Sequence, residues 1–293
     1  MTPMLVRHHP HPASAPRSTD APGRARDWAE IQERMLVPLY EAVYEHLEVG
    51  TGTRLLGLGC GSGLALLMAA ARGAQVTGVD TDQARVDLAR ERLLPDPGAT
   101  QGGGRRTSGP TLQTKLLYGG PDEAAADTTR PAYNLVTAFQ PIGCTAGDAD
   151  GLVPTLTAAV RLAERGSAVV LAGWGPPERC ATSGVLRVAG RLTERLRTGG
   201  GWRPALRDDL EEVAGRAGLH PDGSGRVACP FGYADTDSAV RGLLSTGLFD
   251  AAVEASDLAT VEKEITEALH PHIRQDGTVW MPNVFRYLVA RIP

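Results

Sequence analysis

The chain has 293 residues, enough for one large α/β domain with insertions or for two small domains. With 42% hydrophobic and 22% charged residues, its composition is that of an ordinary soluble globular protein. A net charge of -4, with no block of like charge, leaves no electrostatic case for a nucleic-acid partner. The four cysteines (Cys60, Cys144, Cys180, Cys229) form no C-x-x-C pair, so neither a disulfide framework nor a zinc site is implied. A reducing, cytoplasmic location is therefore expected. No apolar run approaches membrane-spanning length, so no membrane partner is expected either.

In chain order, residues 1–26 are rich in Pro, Ser, Arg and His and read as a disordered arm. His8, His9 and His11 cluster there without a carboxylate or fixed scaffold, and no metal site is expected of them. From 27 to 47, Trp28, Ile31, Met35, Leu36, Leu39, Val43 and Leu47 repeat at helical spacing, with Tyr40 and Tyr44 one turn apart beside the stripe. A strand is read at 54–59, a helix at 63–72, a strand at 75–80 and a helix at 82–94, with Asp82 placed to cap the last. Residues 95–110 form a glycine- and proline-rich insert, far longer than the roughly 2–6 residues of a compact connection. Strands follow at 112–118 and 133–139, a helix at 151–165 stopped by Gly166, and a strand at 168–174. This alternation predicts a mostly parallel sheet with helices on both faces. Beyond Trp174 come a helix from about 185 that ends at the glycines 199–201, a helix at 206–217, a strand at 225–231, helices at 236–246 and 257–269, and an apolar run at 284–292.

The centre of the pattern is Arg54-Leu55-Leu56-Gly57-Leu58-Gly59-Cys60-Gly61-Ser62-Gly63, followed by Asp80 at the tip of the next strand. Glycines there allow a sharp turn and close approach of a ligand to the backbone. The helix that follows aims free N–H groups and its positive end at the loop. An acid ending the second strand can accept two hydrogen bonds from a ribose diol. The dinucleotide fingerprint G-x-G-x-x-G would need glycine at 64, where Leu stands, so a nicotinamide oxidoreductase is disfavoured. The chain also has no G-x-S-x-G, H-E-x-x-H or G-x-x-x-x-G-K-[ST] motif.

G-x-G-x-G after a strand, with an acid closing the next strand, resembles the class I S-adenosylmethionine-dependent methyltransferase family. The resemblance implies a Rossmann-like seven-stranded sheet, the run at 284–292 being a last strand inserted antiparallel beside the fifth. It implies S-adenosyl-L-methionine as cofactor, with Gly59, Cys60, Gly61, Gly63, Asp80, Thr81, Tyr118, Phe139 and Gln140 around it. It also implies that Tyr40, Tyr44 and Trp174 wall the acceptor pocket. In the family an acid two residues before the first loop glycine is positioned towards the cofactor's ammonium; here that position is Gly57. No acid ends the third strand, where Tyr118, a backbone carbonyl or Asp122 could substitute. If the acceptor enters protonated a general base is needed, and His270 and His272 are the candidates. His220 is a weaker one.

The expected organisation is an arm at 1–26, an N-terminal helix and cofactor core at 27–175, and a helical insertion at 176–201. A core continuation at 202–231, a helical lid at 232–281 and a terminal strand at 282–293 complete it. The expected activity is methyl transfer to a small-molecule acceptor in specialised metabolism. The alternative is a degenerate methyltransferase fold that binds a ligand or partner or runs another reaction in the same pocket. The oligomeric state is left open, a homodimer being one option.

Overall fold

The computed structural model describes residues 20–94, 114–125, 132–144, 147–194 and 209–293. The histidine cluster, the 95–110 insert and the first nineteen residues of the expected arm lie outside them. The chain starts with α1 (Ala21–Asp27), a π-helical turn (Trp28–Gln32), a 3-10 turn (Glu33–Leu36) and α2 (Val37–His46). Next come β1 (Arg54–Leu58), α3 (Leu64–Ala71), β2 (Gln75–Asp80), α4 (Gln83–Leu93), β3 (Thr114–Tyr118) and α5 (Pro121–Ala125). Then follow β4 (Tyr133–Ile142), α6 (Leu152–Val160), β5 (Ala163–Trp174), α7 (Thr182–Glu194), α8 (Asp209–Arg216), β6 (His220–Ala228) and β7 (Phe231–Tyr233). The chain ends with α9 (Thr236–Ser245), α10 (Asp250–Ala255), α11 (Leu258–Leu269), a 3-10 turn (His270–His272), β8 (Val279–Met281) and β9 (Val284–Arg291).

Seven strands form one sheet in the order β3-β2-β1-β4-β5-β9-β6. The pairings among β1 to β5 are parallel, whereas β9 runs antiparallel to both β5 and β6. The sheet is covered on both faces, as parallel sheets require. Along β5 the pleat alternates: Ala168, Val170, Ala172 and Trp174 face the core under α2, α3 and α7, while Val169 and Leu171 face the one under α6 and α8. The connections from β1 run outward through β2 to β3, then cross back to β4, leaving a crevice at the carboxyl ends of β1 and β4. Over that crevice sit α7 and α9, with α10 and α11 packed on α7, and α9 on the π-helical turn.

Caps explain where the helices start. Asp82 Oδ1 accepts from the N–H groups of Ala84 (3.0 Å) and Arg85 (3.2 Å), so Asp82 caps α4 as its position predicts. Asp235 and Asp257 cap α9 and α11 in the same way. By contrast, α3 starts at Gly63, which has no side chain to offer.

Several elements differ from the sequence reading. Residues 21–26 belong to α1 rather than to a disordered arm, with Asp20 as its cap: Asp20 accepts from Gly23 N–H and Pro22 sits in the first turn, where a proline is at home. The 27–47 helix is broken by its π and 3-10 turns. The helix read at 151–165 ends at Val160, because Ala163 already pairs with Tyr133 and Leu162 accepts from Ala132 and Tyr133 N–H. Strand β6 starts five residues earlier than the 225–231 reading, at His220. Pro221, Asp222 and Gly223 look like turn residues but are tolerated there because β6 is an edge strand with a bulge between Pro221 and Gly223. The pair β7–β8 and helix α10 leave too little periodicity to be read.

Candidate functional site

A cavity with about 930 Å³ of empty space, its mouth included, opens at the carboxyl ends of β1 and β4 beneath the helical cover. Its floor is the turn after β1. Gly59, Gly61 and Gly63 have φ of 59°, 57° and 81°, left-handed values that L side chains rarely adopt. Asp80 fixes the shape of this turn: Oδ2 accepts from Gly61 N–H at 2.8 Å and Oδ1 from Asp82 N–H at 2.9 Å. The carboxylate is therefore already engaged by backbone, a role the sequence reading, which left Asp80 free for a ligand, missed.

Of the expected cofactor residues, Gly59, Cys60, Gly61, Phe139 and Gln140 line the cavity. Gln140 Oε1 lies 3.8 Å from where a Cβ on Gly59 would stand, so its side chain reaches over the turn. Cys60 contributes through its backbone. Its thiol points back at Gly78, and burial with nearby Asp80 and Glu33 pushes its pKa up to about 12. Gly63 serves packing instead, since a Cβ there would stand 2.9 Å from Leu93 Cδ1 and 3.0 Å from Ala89 Cβ. Thr81 and Tyr118 are exposed and do not line the cavity; Tyr118, opposite Asp80 in register, ends β3 on the face of buried Leu116 but beyond its cover.

The expected acceptor residues divide. Tyr40 and Trp174 line the cavity, whereas Tyr44 does not: its hydroxyl donates to Ala65 C=O at 2.9 Å and its ring sits edge-on to Phe139, holding α2 on α3. Trp174 packs 4.7 Å from Phe285 and 6.0 Å from Phe231, both of which also line the cavity. The expected base pair requires correction. His270 and His272 stand in the 3-10 turn after α11, exposed and half-buried, and neither reaches the cavity. Partial burial pushes the His272 imidazole below its ordinary value without giving it a partner in the site.

The sequence reading missed the polar side of the site, which comes from the π-helical and 3-10 turns. Trp28, Gln32 and Glu33 all line the cavity. Gln32 Oε1 accepts from the hydroxyl of Tyr233 at 2.9 Å. Glu33 is 2% exposed; its Oε2 accepts from the Ser62 hydroxyl and from Arg92 at 3.0 Å, and its Oε1 faces the N–H of Leu64 at 3.4 Å. It thus takes the place of a side-chain cap that Gly63 cannot supply to α3. Trp28 Nε1 is buried with no hydrogen-bond partner among the described residues. Over its ring lies the guanidinium of Arg85, 4.6 Å from the centroid, which also donates to Ser245 C=O at 2.8 Å. The available signal was an acid and a glutamine inside an otherwise apolar helical stripe.

Desolvation raises the Glu33 carboxyl above its ordinary 4.5, outweighing Ser62, Arg92 and Leu64 N–H, which all lower it. A pKa raised on folding contributes stability that is complete below the unfolded value and is lost as pH rises through the folded one. The unfolding free energy of the wild type relative to Glu33→Gln is therefore expected to fall as pH rises above about 4.5. Denaturant titrations at several pH values check this, and a difference that rises with pH would show that Arg92 dominates instead.

Comparisons with known proteins bear on the fold. Residues 56–102, which include the glycine turn and Asp80, match the family described as Methyltransferase domain. A candidate methyltransferase of Bacillus halodurans aligns with a TM-score of 0.51 at 13% identity, over 87% of this chain and 98% of its own. The YcgJ protein of Bacillus subtilis aligns with a TM-score of 0.51 at 14% identity, over 87% and 98%. A methyltransferase of Thiobacillus denitrificans, solved with S-adenosyl-L-homocysteine, aligns with a TM-score of 0.47 at 18% identity, over 95% and 96%. The search of curated proteins finds no match. Fold and motif together place the chain in the class I, Rossmann-like methyltransferase fold, with its motif-bearing segment at 56–102. Among the described residues no helix is long and apolar enough to cross a membrane.

Proposed function

We propose that the chain is an S-adenosyl-L-methionine-dependent methyltransferase acting on a small, largely apolar acceptor. The observation that carries this reading is the glycine turn at left-handed φ, pinned by Asp80 and opening into a cavity at the carboxyl ends of β1 and β4. A Cβ at Gly61 would stand 2.9 Å from both Glu33 Oε1 and Trp28 Nε1, so glycine is what lets these two polar groups close on the turn beside the cavity. The unpaired indole N–H beside it is a donor awaiting an acceptor. These features fit a nucleoside bearing an amino-acid tail.

S-adenosyl-L-methionine supplies a methyl group on a sulfonium, ready for in-line displacement. The work left to this chain is to hold the cofactor, align the acceptor and exclude water. The Gly59–Gly61 backbone, held in shape by Asp80, would hold the nucleoside side, with Phe139 and Gln140 across the turn. Tyr40, Trp174, Phe231 and Phe285 offer a rigid aromatic wall to the acceptor, and Leu186, Leu243 and Leu248 close it from above. With neither histidine in the cavity, the favoured acceptors are nucleophiles that need no histidine base. Specialised metabolism suits an acceptor of this chemistry, and a cytoplasmic location suits four buried cysteines that form no disulfide.

One observation favours the alternative, a fold that no longer transfers methyl groups: β1 carries Gly57 where an acid would face the cofactor's ammonium. Calorimetric titration with S-adenosylmethionine and S-adenosylhomocysteine tests the cofactor first. A micromolar dissociation constant shows that the missing acid is compensated and opens the way to acceptor screening, and no binding at millimolar ligand removes the methyltransferase.

A further inference from the structure

Resting on the methyltransferase reading, we propose that Glu33 and Trp28 form the receptor for the cofactor's amino-acid end. Glu33 takes the ammonium, in place of the acid that β1 lacks, and the Trp28 indole N–H takes the carboxylate.

Strand β1 cannot supply that acid without rearrangement. Gly57 lines the cavity, but a Cβ there would stand 2.9 Å from Leu66 Cδ2, under the first turns of α3. Glu33 is the carboxylate that does line the cavity, delivered by a turn 24 residues earlier in the chain. Its two oxygens are unequally used. Oε2 holds Ser62 and Arg92, while Oε1 has only the long 3.4 Å contact to Leu64 N–H and faces the point above Gly61. A carboxylate has about four acceptor positions, so Oε1 retains capacity for a strong donor. Trp28 Nε1 faces the same point and is a donor with no acceptor. A buried acceptor with spare capacity beside a buried donor with no partner is the chemical complement of an α-amino acid zwitterion. Burial also leaves the Glu33 anion under-compensated despite its three donors, a deficit that an arriving cation removes. The π-helical geometry of residues 28–32 fits this role, since such turns re-aim side chains relative to a regular helix.

Three adenosine thioethers read the two contacts separately by calorimetry. S-adenosylhomocysteine carries both charges, its decarboxylated form carries only the ammonium, and 5'-methylthioadenosine carries neither. Wild-type protein should bind the decarboxylated form on the order of 10–100-fold more tightly than methylthioadenosine, the scale of one charge-assisted hydrogen bond. Glu33→Gln should abolish that preference while keeping the advantage that the carboxylate gives S-adenosylhomocysteine. Trp28→Phe should do the reverse. Glu33→Asp, which keeps the charge but withdraws it by one methylene, should reduce the ammonium preference several-fold, and it serves if the Gln variant does not fold. Equal wild-type affinity for the decarboxylated form and methylthioadenosine overturns the proposal. So does a preference that survives undiminished in whichever Glu33 variant folds, or tighter binding of S-adenosylhomocysteine by Glu33→Gln, which would make Glu33 a plug rather than a receptor. If wild-type protein binds none of the three nucleosides, the methyltransferase reading itself fails; binding of all three without discrimination sinks only the assignment to Glu33 and Trp28.

Discussion

Replacing Asp80 with alanine is expected to weaken S-adenosylhomocysteine binding by on the order of a hundredfold or more. The carboxylate accepts from Gly61 N–H and Asp82 N–H, and it is 8% exposed, so both bonds form largely out of water. Hydrogen bonds to a charged group are worth roughly 1.5–3 kcal/mol each. Removing the side chain strands two donors and frees Gly61 to leave its left-handed conformation, so the loop must be rebuilt each time a ligand binds. Asp80→Asn keeps one acceptor and should fall between. Calorimetry gives the affinity and a thermal melt gives the stability; if alanine leaves both unchanged, the turn is held by something other than Asp80.

Gly61→Ala should be the most damaging small substitution in the turn, lowering the unfolding free energy by roughly 2–4 kcal/mol. Two costs coincide there. The residue sits at φ 57°, and its new Cβ would stand 2.9 Å from both Glu33 Oε1 and Trp28 Nε1. Neither neighbour can swing away cheaply, since Glu33 is tied to Ser62 and Arg92 and the Trp28 ring lies under Arg85. Gly218→Ala is the matched control: its φ is 74°, but a Cβ there meets nothing within 4 Å. It should show only the conformational cost of about 1 kcal/mol. Equal losses in the two variants, measured by urea denaturation, would mean that the contact with the N-terminal segment is slack.

These two glycines also show what could and could not be read from the chain. The strand-turn-helix-strand core was legible because its signals are local: an apolar run, glycines at fixed offsets, an aspartate cap and an acid at a strand tip. The antiparallel β9 followed from the family resemblance rather than from its own pattern. The polar half of the cavity was not legible, because its meaning depends on contacts between distant segments. Glu33 meets Ser62 and Arg92, and Gln32 meets Tyr233, across separations of 29 to 201 residues. Nothing at position 33 announces that the helix it serves begins at Leu64. The histidines failed for the converse reason: a plausible residue type after a helix says nothing about which way that turn faces.

The bulged edge strand β6 has a consequence for behaviour at high concentration. A free sheet edge is a template for another strand, and long flat edges invite association. On β6 the ladder is interrupted between Pro221 and Gly223, the proline removes a donor, and Asp222 is tied to Arg291 of the neighbouring strand at 2.8 Å. That rim of the molecule is thus guarded against edge-to-edge aggregation by its own irregularity.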